Sequence, residues 1–233
     1  MISNLVVLVN NSIMLNPTTP SRQLNLLRLS SLLGADLPVD RVAGIDEVGR
    51  GALFGPVVAA AVILTGDAIL KLTNAGVRDS KQLKPIQRST LTCQIQALAL
   101  DYQIGIATVW EIDRLNILQA SLLAMKRAIL KLRVPPTLCL IDGNRSIPQL
   151  NIPQQTVVKG DQKELAIAAA SIIAKVWRDE LITRLAKKYP DYDLASNKGY
   201  GSPKHRLALQ QVGPSPQHRL SFSPCQGNGI QSG

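Results

Sequence analysis

Short apolar runs, each closed by glycine, proline or an acid, alternate with longer stretches of helical periodicity. Val42–Asp46 reads as a strand running into the turn Gly49-Arg50-Gly51. Pro56–Leu64 is a continuous apolar run between Gly55-Pro56 and Thr65-Gly66, the signature of a buried strand. Ser80–Leu100 has a helical pattern starting near Pro85, and Tyr102–Val109 alternates as a third strand. Ile112–Leu132 predicts one long amphipathic helix, because Leu115, Leu118, Leu122, Met125 and Ile129 recur at spacings of three and four. Thr137–Ile141 and Thr156–Lys159 predict two short strands, running into Asp142-Gly143 and Gly160-Asp161. Lys163–Lys188 predicts a second long helix, with alanine-rich first turns suited to close packing and Trp177 on its buried face. This order of elements predicts an α/β fold with a mixed sheet.

The ends of the chain read differently. Residues 1–40 hold no acid before Asp36 and are rich in Ser, Asn, Leu and Arg, which predicts a flexible leader with a loose likeness to an organellar transit segment. The segment after Pro214 is rich in Pro, Ser, Gly and Gln and is expected to fray, with 225–233 as a flexible tail. Between them, 41–224 is long enough for one well-buried domain.

Composition narrows the function classes. With 45% hydrophobic and 18% charged residues the chain is globular, and no apolar run approaches the roughly 18 residues of a membrane helix. A net charge of +10 suits a polyanionic partner, nucleic acid above all. Three widely spaced cysteines predict no disulfide and a reducing, cytoplasmic setting. Two histidines rule out a histidine-rich metal centre, so any metal is held by oxygen, which points to magnesium or manganese.

Asp46, Glu47, Asp142 and Asp161 each follow an apolar run and sit near glycine. Ligands of α/β sheets gather outside the carboxyl ends of strands. Taken singly, Asp142-Gly143 also reads as a turn and Asp161 as a helix cap. The adjacent Asp46-Glu47 pair is harder to explain structurally, because two neighbouring buried carboxylates need a compensating cation. Successive strand side chains face opposite ways, so the pair shares one site only if the strand ends or bends there. Carboxylates on adjoining strand ends could converge on two ions about 4 Å apart. Lys175, Arg178, Arg184, Lys187, Lys188, Lys198, Lys204 and Arg206 form either a phosphate track or the wet face of the second long helix.

Nine ordered stretches resemble the bacterial ribonuclease HII family, the type 2 ribonucleases H. They are AGIDEVGRG (43–51), GPVVAAAVIL (55–64), DSKQL (79–83), IDRLNIL (112–118), LIDGN (140–144), VVKGD (157–161), AAASIIAKVWRD (168–179), NKGYG (197–201) and HRLSF (218–222). The resemblance spans Val42 to Pro224. A departure is Ala168, where bacterial relatives often carry serine.

The resemblance implies a ribonuclease H-like fold, a mixed five-stranded sheet flanked by helices with a C-terminal helical extension. It implies a monomeric endoribonuclease that cleaves RNA in RNA–DNA hybrids and incises 5′ of single ribonucleotides in duplex DNA. Two divalent ions, Mg2+ or Mn2+, would be held by Asp46, Glu47, Asp142 and Asp161 as the catalytic acids, leaving 5′-phosphate and 3′-hydroxyl ends. Gly49, Arg50 and Gly51 would read the ribose 2′-hydroxyl, Tyr200 would pack beside that sugar, and Ser80 and Lys81 would lie near substrate phosphates. Two alternatives stay open: another two-metal nuclease of the same fold, or a catalytically silent nucleic-acid-binding protein.

Overall fold

The structure, a computed structural model, describes residues 41–78 and 80–226; the leader over 1–40 and the tail beyond 226 lie outside the described residues. Five strands form one mixed sheet: β1 (Val42–Val48), β2 (Val57–Ile63), β3 (Asp101–Ala107), β4 (Leu138–Asp142) and β5 (Gln154–Val157), in the order β3-β2-β1-β4-β5. The hairpin side, β1-β2-β3, is antiparallel, whereas β4 and β5 add to β1 in parallel. β2 is buried on both faces, as its unbroken apolar run requires.

Seven helices are described: α1 (Gly66–Asn74), α2 (Pro85–Leu98), α3 (Val109–Leu115), α4 (Ile117–Leu130), α5 (Leu165–Ala186), α6 (Leu194–Asn197) and α7 (Pro203–Val212). α4 packs on one sheet face, burying Ala124, Met125 and Ala128 against Ile45, Ala59 and Ala61. α1, α2 and α5 cover the other, meeting Ala60 and Val62. A third cluster joins Leu53 and Phe54 to Ile182, Tyr192, Leu194 and Leu209, and this forms the C-terminal helical part.

Three expectations from the sequence change, and one element is added. The single helix over Ile112–Leu132 is two helices, because Asn116 takes a left-handed φ of 71°. Its N–H closes α3 on the Ile112 carbonyl, and its side chain accepts from Gln119 N–H to start α4. Apolar spacing continues across this break and conceals it. Second, Trp177 is only half-buried, and the fully buried residues of that stretch are Arg178 and Ile182. Third, the segment after Pro214 does not fray as far as Gln226, for His218, Arg219 and Cys225 are all buried. The added element is α1, an amphipathic helix, capped by the Thr65 hydroxyl, that the sequence reading did not single out.

α5 lies unusually close to β1. A Cβ on Gly44 would stand 2.1 Å from the Ala166 carbonyl carbon, a backbone atom that cannot step aside. Helix and strand therefore meet backbone to backbone, and the alanines of α5 are the side chains that permit it. Gly44→Ala is expected to cost about 3 kcal/mol or more by forcing them apart; urea unfolding measures this, and an unchanged midpoint would contradict the packing.

Candidate active site

The acids sit at the carboxyl ends of β1 and β4, which are parallel neighbours with Ile45 opposite Ile141. β1 does not stop at Asp46 but runs on to Val48, so Asp46 pairs with Ala60 and Glu47 with Ala59. The two carboxylates thus leave the strand on opposite faces, yet both remain close enough to Asp142 to feel its charge. Asp46 is 6% exposed. Burial first, then the charges of Glu47 and Asp142, push its carboxyl well above the usual range, against bonds from Ser171 and the Glu47 N–H at 2.7 Å. Glu47 is also pushed up by burial, partly offset by Arg50, whose guanidinium is 3.1 Å away.

Asp142 accepts the Gly160 N–H at 2.7 Å. That bond draws the Gly160–Gln162 turn, and with it the buried Asp161, to the end of β4. Lys81 Nζ reaches Asp161 at 3.7 Å from an exposed position. Ser80 points inward instead: its hydroxyl is buried and 2.9 Å from the Ser171 hydroxyl, behind Asp46. Glu164, a further buried acid, stands at the N-terminus of α5.

These donors suit a hard cation. All are oxygen, and the raised carboxyls of Asp46 and Glu47 record negative charge short of a counter-charge. Among the described residues no group of three or more acids, histidines or cysteines is already gathered closely enough to hold a metal ion by itself. An open arrangement suits magnesium, which keeps several waters and takes substrate phosphate oxygens as ligands.

The Gly49–Gly51 turn adjoins the acids through the Glu47–Arg50 pair. Gly49 has φ +91°, and a Cβ there would fall 2.2 Å from Arg178 Nε, so the position tolerates no side chain. Tyr200 joins the turn through a β-bridge to Ala52, and Lys175 and Arg178 lie 5.6 and 5.5 Å from its ring centroid. A cleft of about 590 Å3 is lined by Arg88, Lys175, Arg184 and Lys198 together with Asp179 and Glu180, and none of the four acids lines it. Arg178 leaves the expected basic surface, since it is fully buried.

Residues 43–225 match the family model described as ribonuclease HII. The chain belongs to the ribonuclease HII family. It is 64% identical over 189 residues to the ribonuclease HII of Acaryochloris marina, covering 81% of this chain and 96% of that protein. The Trichodesmium erythraeum ribonuclease HII is 67% identical over 184 residues, covering 79% and 87%. Among solved structures, ribonuclease H2 from Pyrococcus horikoshii OT3 superposes with a TM-score of 0.69 at 30% identity, over 79% of this chain and 95% of that one. Ribonuclease HII membership accounts for the order of the sequence stretches and for the mixed five-stranded sheet.

The sequence reading gave no role to His205 and His218, which support Tyr200 from within. Ser215 N–H donates to His218 Nδ1, so His218 carries its proton on Nε2. That proton faces His205 Nε2 at 2.9 Å, which leaves His205 Nδ1–H to donate to the Tyr200 carbonyl, also at 2.9 Å. Both rings must be neutral for this chain to close. Burial, then His205, pushes His218 down to about 4. The native state therefore binds fewer protons than the unfolded one between pH 4 and the ordinary 6.5. The stability this contributes is complete above 6.5 and is lost as pH falls toward 4. Unfolding free energy should drop by roughly 2–3 kcal/mol across that window, and His218→Gln should flatten the drop; parallel pH profiles for the two proteins would refute the linkage.

Proposed function

We propose that this protein is a metal-dependent endoribonuclease that cleaves RNA within RNA–DNA hybrids and incises 5′ of a single ribonucleotide in duplex DNA. The observation that carries the reading is the group of acids at the ends of β1 and β4, where burial and then neighbouring carboxylates raise Asp46 and Glu47. A protein that only bound nucleic acid would gain nothing from negative charge facing phosphates. Two divalent ions held by Asp46, Glu47, Asp142 and Asp161 would neutralise the phosphate, activate the attacking water and stabilise the leaving 3′-oxygen.

The chain's own groups do the rest. Ser171 and the Glu47 N–H orient the Asp46 carboxylate, and the Gly160 N–H orients Asp142. Arg50 and Lys81 supply positive charge at the rim, where the scissile phosphate arrives. The Gly49–Gly51 turn and Tyr200 face the sugar beside that phosphate. A 2′-hydroxyl is what separates RNA from DNA there, and a turn without side chains brings its backbone within reach. We assign the activity to a monomer in a reducing cytoplasm, the setting that three widely spaced cysteines suggest.

Cleavage of a DNA duplex carrying one ribonucleotide tests this reading directly. A nick on the 5′ side is expected with Mg2+ or Mn2+, none with chelator, and none in all-DNA duplex. Cleavage of all-DNA duplex would instead indicate a general two-metal nuclease, and binding without nicking a silent binder. Asp142→Asn should lower the rate by at least about 10^3-fold (~4 kcal/mol of barrier) while sparing binding; a rate near wild type would remove Asp142 from the metal site. Gly51 has open space around its Cβ position, so Gly51→Ala should fold normally yet lose activity on the single ribonucleotide. Tyr200→Ala should also lower rate or selectivity there, and unchanged kinetics in both variants would end the sugar-reading assignment.

A further inference from the structure

Arg178 and Arg219 are both fully buried, and neither forms an ion pair among the described residues. A buried, unpaired charge is costly, and burial followed by the neighbouring Arg178 lowers Arg219 to about 9. Both guanidiniums donate to backbone carbonyls of one loop, while Arg219 Nη2 is buried without a partner among the described residues. Arg219 binds the Gly55 carbonyl through Nε at 3.0 Å and the Arg50 carbonyl through Nη1 at 2.8 Å, and its own N–H binds Leu53 O at 2.9 Å. Arg178 binds Pro56 O at 3.1 Å, Phe54 O at 2.9 Å and, across the gap, Lys198 O at 2.9 Å. The carbonyls of residues 53 to 56 are thus all drawn inward, together with that of Arg50.

This fixes what the turn shows to the outside. In a trans peptide the carbonyl of one residue lies antiparallel to the N–H of the next. With the Arg50 carbonyl held on Arg219, the Gly51 N–H points away from the interior. Gly51 is exposed, and no atom lies within 4 Å of where its Cβ would be. The guanidinium also polarises that peptide, which strengthens its N–H as a donor. On the other side, Arg178 holds Lys198, two residues before Tyr200, and so ties the tyrosine to the same frame.

We propose that Arg219 and Arg178 are positioning residues for ribose selection, which aim the Gly51 N–H at the sugar by holding the carbonyls of the 50–56 loop inward. The proposal rests on the reading that this turn senses the 2′-hydroxyl. The full chain carrying Asp142→Asn, which should bind without cleaving, gives the test. Its affinities for a one-ribonucleotide duplex and for the all-DNA duplex are compared with and without Arg219→Lys, which keeps the charge but loses the planar fork. The preference for the ribonucleotide should fall on the order of tenfold, with all-DNA affinity little changed while the lost buried hydrogen bond lowers the melting temperature. A full preference in folded Arg219→Lys overturns the proposal. No preference in Asp142→Asn alone overturns the sugar reading beneath it, and this proposal with it. If Arg219→Lys does not fold, the Gly51 amide resonance in Asp142→Asn decides. It should shift with the ribonucleotide duplex and not with all-DNA duplex, and equal behaviour in the two overturns the proposal.

Discussion

Negative charge concentrated at the adjoining ends of β1 and β4 is the constraint around which this molecule is arranged. Burial first, and then the neighbouring carboxylates, raise the proton affinity of Asp46 and Glu47, with the charge of Asp142 acting on both. Such a cluster survives only inside a scaffold that holds its backbone rigidly. The parallel pairing of β1 with β4, a glycine in β1 and alanines in α5 provide that rigidity. The helix lies directly on the strand that carries the acids.

The region beside the acids solves the opposite problem. Loop 49–56 has little regular structure, so its carbonyls need partners from elsewhere. Two arginines, from α5 and from the C-terminal segment, supply them. A neutral histidine pair does the same for the Tyr200 carbonyl. The C-terminal segment is therefore part of the site's support. Its composition resembles a loose tail, but it provides His218 and Arg219 to the interior.

Several elements were legible from residue patterns because their cause is local. β2 follows from an unbroken apolar run, α2 from Pro85 at its first turn, and the position of the acids from apolar runs that end in Asp beside glycine. The break at Asn116 was hidden because side-chain spacing stays in phase while the backbone turns. Trp177 and Arg178 were exchanged because hydrophobicity ranks tryptophan inside. Carbonyls of a distant loop instead make the interior the better place for arginine.

The sequence by itself determined the α/β class and the family resemblance, and it singled out four acids and a glycine turn as candidates. These depend on local alternation, turn chemistry and residue order, all of which are written along the chain. Tertiary structure alone decided that Ser80 faces Ser171 rather than solvent, that Arg178 and Arg219 are buried, and that two histidines share a single proton path. The physical reason is that a polar group's place depends on whether partners far along the chain can satisfy it. Phe54 lies 124 residues from Arg178, and Arg50 lies 169 from Arg219. Only folding brings those donors and acceptors within hydrogen-bond reach.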